Sequence, residues 1–189
     1  MNTGMLDLLR TRRSVKPDKL GLPAPSPAQL NEILTIAARV PDHKKLAPWR
    51  FIIFEGAARE RLGEVFADAC QAEEREQPSP VRLEMERLRP QRAPLVVAVV
   101  SRVVPSPGAP EWEQVLSAGA ACFNVCLAAN ALGYASNWLT GWYAYSPHVT
   151  AALGLAANER VAGYIHIGTA QDRPEDRDRP ALASIVTRY

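Results

Sequence analysis

PDHKKLAPWRF, residues 41–51, joins the end of one element to the start of another. Pro41 disfavours helical geometry in the residue before it, so the segment upstream is predicted to be a helix that stops at Val40. Its start is marked too. Ser26 is a cap, Pro27 stands at the first helical position and Gln29 at the capping-box position. Leu30, Ile33, Leu34 and Ala37 then recur at helical spacing. Downstream, WRFIIFEG (49–56) reads as a buried strand closed by Gly56. The stretch is therefore a connection between a helix end and a strand start, a place where binding groups collect. Arg39, His43, Lys44 and Lys45 make it positive, and Trp49 beside Pro48 adds a rigid aromatic. A basic surface turn with Trp49 in the core is the alternative reading of the same residues.

Working outward, MLDLLRTRR (5–13) reads as a short helix with Met5, Leu6, Leu8 and Leu9 on its apolar side. ARERLGEVFADACQAEERE (58–76) is an amphipathic helix that turns Leu62, Val65, Phe66 and Ala69 inward, its charges forming a solvated face. QPSPVRLEMERLRPQRAP (77–94) is polar and punctuated by proline, and a short helix or flap is expected there. PLVVAVVSRVV (94–104) is apolar enough for a central strand. WEQVLSAGAACFNVCLAANALGY (112–134) is a long helix, apolar on most faces and hence buried, with Gly133 as its stop. ASNWLTGW (135–142) is a strand or extended turn, SPHVTAALGL (146–155) a capped helix, and RVAGYIHIGTA (160–170) a third strong strand. The tail, QDRPEDRDRPALASIVTRY (171–189), runs from a charged, proline-rich spacer into the strand-like SIVTRY. It is expected to be an arm that reaches another element, on another subunit. Helices and strands mix without βαβ alternation, which predicts an α+β fold, helices packed on a mainly antiparallel or mixed sheet, in a single domain over 1–189.

The 189 residues are 47% hydrophobic and 22% charged, the profile of a globular protein. A net charge of +2 gives no polycationic field for a nucleic-acid backbone, so no nucleic-acid partner is expected. Three cysteines, an odd number, argue against a disulfide framework. Cys122 and Cys126, four apart, read as small buried hydrophobes, and no second Cys or His pair stands at a metal-ligand spacing. No run of about 18 apolar residues predicts a membrane span, and a reducing, cytoplasmic setting follows as the expectation.

Four stretches could carry chemistry. Arg12, Arg13 and Ser14 offer two guanidiniums and a hydroxyl, which suits a phosphate dianion; a solvated helix end is the plainer reading. The second is the 38–51 connection. In the third, SNWLTGW (136–142), small and polar residues around Trp138 could line a flat aromatic ligand or be an ordinary strand and turn. The fourth is Gly168-Thr169, a tight exit from a strand. No nucleophile, base and acid fall together, and there is neither a G-x-G-x-x-G fingerprint nor a Walker A loop. An enzyme built this way leaves its chemistry to a cofactor, with no catalytic side chain expected.

In this order the stretches resemble the nitroreductase family of flavin-dependent oxidoreductases. The helix ending in RRS-V, S-x-x-Q-L-x-x-I-L-x-x-A, the Pro41-to-Phe51 pattern P-x6-P-W-x-F, A-A-x-x-L-G-Y and I-G-T at 167–169 carry the likeness over nearly the whole chain. The resemblance implies the family's fold, with FMN at the interface of a homodimer and the C-terminal arm (about 171–189) exchanged between subunits. It implies NAD(P)H as donor and nitroaromatic- or quinone-like acceptors reduced by ping-pong hydride transfer, or else a flavin-binding protein of the same fold with a dehydrogenating or dehalogenase-like role or with little reductase activity. Arg12, Arg13 and Ser14 match the segment holding the FMN phosphate and ribityl chain. Arg39 and His43 match positions that reach the same FMN from the partner, and Trp138, Leu139 and Thr140 match a later flavin contact. Ala128, Ala129, Asn130, Ala131, Leu132 and Gly133 match a stretch assigned to the nicotinamide. Where better-known members carry a polar Ser/Asn/Gln pattern, this chain has Asp42, His43, Lys45 and Ala47, so His43 or Lys45 is expected at the flavin edge.

Overall fold

A computed structural model describes residues 3–172 and 174–189. Its centre is β3 (Leu95–Arg102), with seven of its eight residues buried. Beside β3 lie β2 (Trp49–Glu55) on one side and β5 (Glu159–Ala170) on the other; β1 (Leu20–Gly21) and β4 (Ala135–Leu139) both pair with the far edge of β5. Every strand pair is antiparallel, as expected. The apolar runs at 49–56, 94–104 and 160–170 become the three long strands. The two-residue β1 was not foreseen, being too short to show any period.

Side chains alternate across the sheet, which builds two core layers. Leu95, Val97, Val99, Ile165 and Ile167 face α2 (Pro27–Ala37) and α5 (Glu111–Ala131), meeting Ile33, Ala121, Cys122 and Val125. Val96, Ala98 and Tyr164 face the opposite way. There they meet Leu62, Phe66 and Ala69 of α3 (Ala57–Glu73), Tyr143 of α6 (Trp142–Tyr145) and Val149 of α7 (Pro147–Ala152). The N-terminal helix α1 (Thr3–Thr11) precedes β1.

Helix α2 begins with the predicted capping box: Ser26 Oγ accepts from Gln29 N (3.3 Å), and Gln29 Oε1 accepts from Ser26 N (2.9 Å). It ends at Ala37 rather than Val40, and Asn124 of α5 donates to the carbonyls of Ile36 and Arg39 (3.2 and 3.4 Å) at that end.

One segment takes an expected form and another needs correction. The 77–94 segment forms the short helix expected of it, α4 (Pro80–Leu88), which is locked down on α3. A Cβ on Gly63 would lie 2.0 Å from the Arg87 carbonyl, so only glycine there lets the two helices approach this closely. Glu86, fully buried, accepts from Arg89 Nε and Nη2 (2.6 and 2.5 Å) and from Arg82. The strand-like tail, by contrast, is not a strand in the single chain. It holds one turn at Leu182–Ser184 and leaves Leu182, Ile185 and Val186 exposed, since an edge without a partner has no ladder to complete.

Candidate functional site

The site grows from one face of α5. Along it, Trp112, Leu116 and Phe123 stand 68%, 52% and 39% exposed, with Gly119 between them. Three of the segments singled out in the sequence converge on this helix.

The first is Arg12–Ser14, directly after α1. The Arg12 guanidinium lies over the Phe123 ring, 5.3 Å from its centroid, a cation–π seat with no carboxylate on its N–H groups among the described residues. Arg13 donates to the Glu175 carbonyl and pairs with Asp176 Oδ1 at 3.4 Å, so an internal acid of the tail already occupies it. Ser14 is exposed and bridges to Ser136; Val15 N donates to Ser136 O (3.1 Å) and Asn137 Nδ2 to Val15 O (2.9 Å). The arginine segment and the third stretch are thus tied together.

In that third stretch Trp138 lies flat on β5. A β-bulge leaves Ala162 out of register between β3 and β5, and Trp138 Nε1 donates to its carbonyl (3.2 Å). A Cβ on Gly163 would sit 2.0 Å from the indole nitrogen, so glycine makes the seat. Trp138 remains 39% exposed, Leu139 is half-buried and Thr140 exposed.

The second stretch, 38–51, is pinned over residues 39–49 by α5 and by its own acid. Asp42 accepts from Leu46 N (3.0 Å) and Ala47 N (2.8 Å). Ser117 donates to Pro41 O (2.7 Å) and accepts from Trp49 Nε1 (3.1 Å). Trp49 also packs against the core, so the plainer reading of that residue holds. His43 Nδ1 meets Glu113 Oε2 at 2.7 Å. Arg39 and Lys45 are exposed and carry no ion pair among the described residues.

The nicotinamide assignment is only partly compatible with the geometry. Ala128 and Ala129 are enclosed in the core and present nothing to a ligand. Asn130, Ala131, Leu132 and Gly133 reach the surface, though Asn130 spends its amide on Cys126 O and Ser136 Oγ (2.8 and 3.0 Å). Gly168 lies against Pro94 and the Gly21 carbonyl, and the Thr169 hydroxyl donates to Pro23 O, so the fourth stretch serves the β1–β5 pairing.

Thiol chemistry is disfavoured, because burial raises the pKa of both Cys122 and Cys126. Among the described residues no three potential metal ligands cluster. A cavity of about 950 Å³ opens beside Val104, Val115, Leu155, Asn158, Val161 and Ala162; it contains none of the predicted flavin residues. Phe123, Glu113, Ser117 and Asn124 escaped the sequence reading. Their signal was the polar spacing 113, 117 and 124 in a helix otherwise read as buried.

The donor set fits a phosphorylated aromatic cofactor such as FMN. Guanidiniums sit at one end, a small-residue seat with an open indole lies beside them, and an internal carboxylate already marks Arg13 as an anion site.

The sequence model of the nitroreductase family matches residues 9–169. The Escherichia coli protein "Putative NAD(P)H nitroreductase YdjA" is 36% identical over 166 residues, 88% of each chain. Among solved structures, a nitroreductase-like family protein from Bacillus cereus superposes with a TM-score of 0.84 at 22% identity, covering 100% of this chain and 97% of that one. A Bacteroides fragilis nitroreductase with bound FMN gives 0.70 at 21% identity, covering 98% of each.

Proposed function

We propose, for a chain that belongs to the nitroreductase family, that it holds FMN across a subunit boundary and carries reducing equivalents from NAD(P)H to nitroaromatic- or quinone-like acceptors. The observation that carries this reading is the joining of Arg12–Ser14 to Ser136–Trp138 beside an uncovered apolar face of α5.

Arg12 and Arg13 would neutralise the phosphate through charge-assisted hydrogen bonds, and the Ser14 hydroxyl would meet the adjacent ribityl chain. Trp138, Leu139 and Thr140 would flank the ring. Arg39 and His43 lie on a loop held rigidly outward from the same helix, a placement suited to a flavin belonging to a second copy. The stripe Trp112, Leu116 and Phe123 supplies the apolar surface for a homodimer. The exposed Leu182, Ile185 and Val186 suit an arm that completes itself on the partner.

FMN supplies acceptance and donation of a hydride; the chain's own tasks are binding, orientation and exclusion of water. No acid or base is required of a side chain. Donor and acceptor would use the same face in turn, which is ping-pong exchange. The surface residues Asn130, Ala131, Leu132 and Gly133 are the part of the nicotinamide assignment that keeps access. Three free, buried cysteines suit a reducing, cytoplasmic compartment.

Purified protein is expected to be yellow, and NADH or NADPH should bleach it without oxygen. Arg12→Ala should release the flavin. A protein that takes up no FMN on reconstitution ends the reading; one that binds FMN but is not bleached by either donor is a flavin protein with another redox role.

A further inference from the structure

Helix α5 holds the 39–49 loop through three polar side chains on one face, Glu113, Ser117 and Asn124, spaced by four and seven residues, close to whole turns. Ser117 grips the Pro41 carbonyl and the Trp49 indole, and Asn124 grips the carbonyls of Ile36 and Arg39. Glu113 differs: its partner is His43, a ring the proposed function sends to FMN. Both side chains are about half exposed, 51% and 49%, so burial does not force them together. The rigid loop does, with Asp42 fixing its backbone at Leu46 and Ala47.

We infer that Glu113 is a positioning residue for His43: its carboxylate accepts the Nδ1–H, sets the tautomer and ring plane, and leaves Nε2 as the nitrogen offered to a ligand. This rests on the reading that FMN sits at the subunit boundary within reach of this loop. Within the loop, Lys44 folds its ammonium over Gly108 and the Asp42 carboxylate is taken up by backbone N–H groups, so neither replaces Glu113 on the imidazole. A carboxylate behind an imidazole is a general way to orient its second nitrogen.

The test titrates apo-protein with FMN by fluorescence quenching and records the imidazole ¹⁵N signals of His43. Glu113→Ala should weaken FMN binding about fivefold to tenfold. Glu113→Gln, whose amide oxygen still accepts the N–H, should stay within about twofold of the native protein. The double variant with His43→Ala should bind no more weakly than His43→Ala alone. The Nδ1–H tautomer signal should be lost in Glu113→Ala and kept in Glu113→Gln. Native-like affinity in Glu113→Ala, additive losses in the double variant, or equal losses in Glu113→Gln and Glu113→Ala each overturn the inference. If His43→Ala leaves affinity intact while Arg12→Ala abolishes it, the inference falls and the proposed function stands. If the native protein binds no FMN, the function beneath it falls.

Discussion

Lys44, Lys45 and Ala47 take φ values of 64°, 56° and 45°, three left-handed non-glycine residues within four positions. Each such residue costs about 1–2 kcal/mol, and the Asp42 carboxylate is what holds the turn in place. Asp42→Ala should lower stability by about 2–3 kcal/mol in urea unfolding and weaken the proposed FMN binding in parallel, because His43 rides on this turn. Ala47→Gly removes a Cβ from a left-handed position while adding unfolded-state entropy, for a net gain of about 0.5–1 kcal/mol in the same measurement. The charge and position of this loop were legible in the sequence. Its strain was not: Lys-Lys-Leu-Ala contains none of the Gly or Asn residues that announce left-handed turns. Phe123 was hidden for a similar reason, since an aromatic among alanines and cysteines reads as core.

At the scale of elements, periodicity worked where burial is local. The long strands and α2, α3 and α5 follow their apolar patterns to within a few residues. The short helix α4 was expected but its role was not, because charges that suggested solvent serve a long-range lock. Glu86 bridges Arg82 and Arg89, and those arginines lie over Trp142 and Tyr143 (5.9 and 5.1 Å). No local pattern can reveal partners brought together by the fold. Arg82 and Arg89 keep 30% and 26% of their side-chain surface in water, so Glu86→Ala should cost about 2–3 kcal/mol, below the about 3–5 of a fully enclosed pair. A urea midpoint equal to that of the native protein would mean the lock is ornamental. β4 was ambiguous because Ser136 and Asn137 have low strand preference and are held by the arginine segment as well as by the sheet.

For the molecule as a whole, acid stability should fall in two windows. His166 is 3% exposed, and burial, helped by Arg92 and Arg89, lowers its pKa from 6.5 to about 4. Between those values the unfolded chain binds the extra proton, so stability declines as pH drops from 6.5 to 4, by at most about 1.4 kcal/mol per pH unit. Glu159, held by Arg50 through two hydrogen bonds of 2.6 and 2.8 Å, is lowered from 4.5 to about 2. Its stabilisation is complete above 4.5 and disappears between 4.5 and 2. His166→Leu should flatten the upper window in pH-dependent melting and leave the lower one. Assembly is a separate matter: Leu116→Arg places a charge in the middle of the exposed α5 stripe and should move gel filtration from the proposed dimer to monomer without loss of helical circular dichroism.

The acid of the tail that rests on Arg13 sets a threshold for whatever arrives there. A guanidinium that already has a carboxylate gains little from exchanging it for a free inorganic anion of similar strength. A ligand that brings a ring to Trp138 together with a phosphate has a second hold and can displace Asp176. Binding of FMN as proposed would then be converted into release of Arg13 from the tail. Protease cleavage within residues 174–181 should accelerate when FMN is added and stay unchanged with inorganic phosphate, giving the chain a way to distinguish a whole nucleotide-like ligand from its charged fragment.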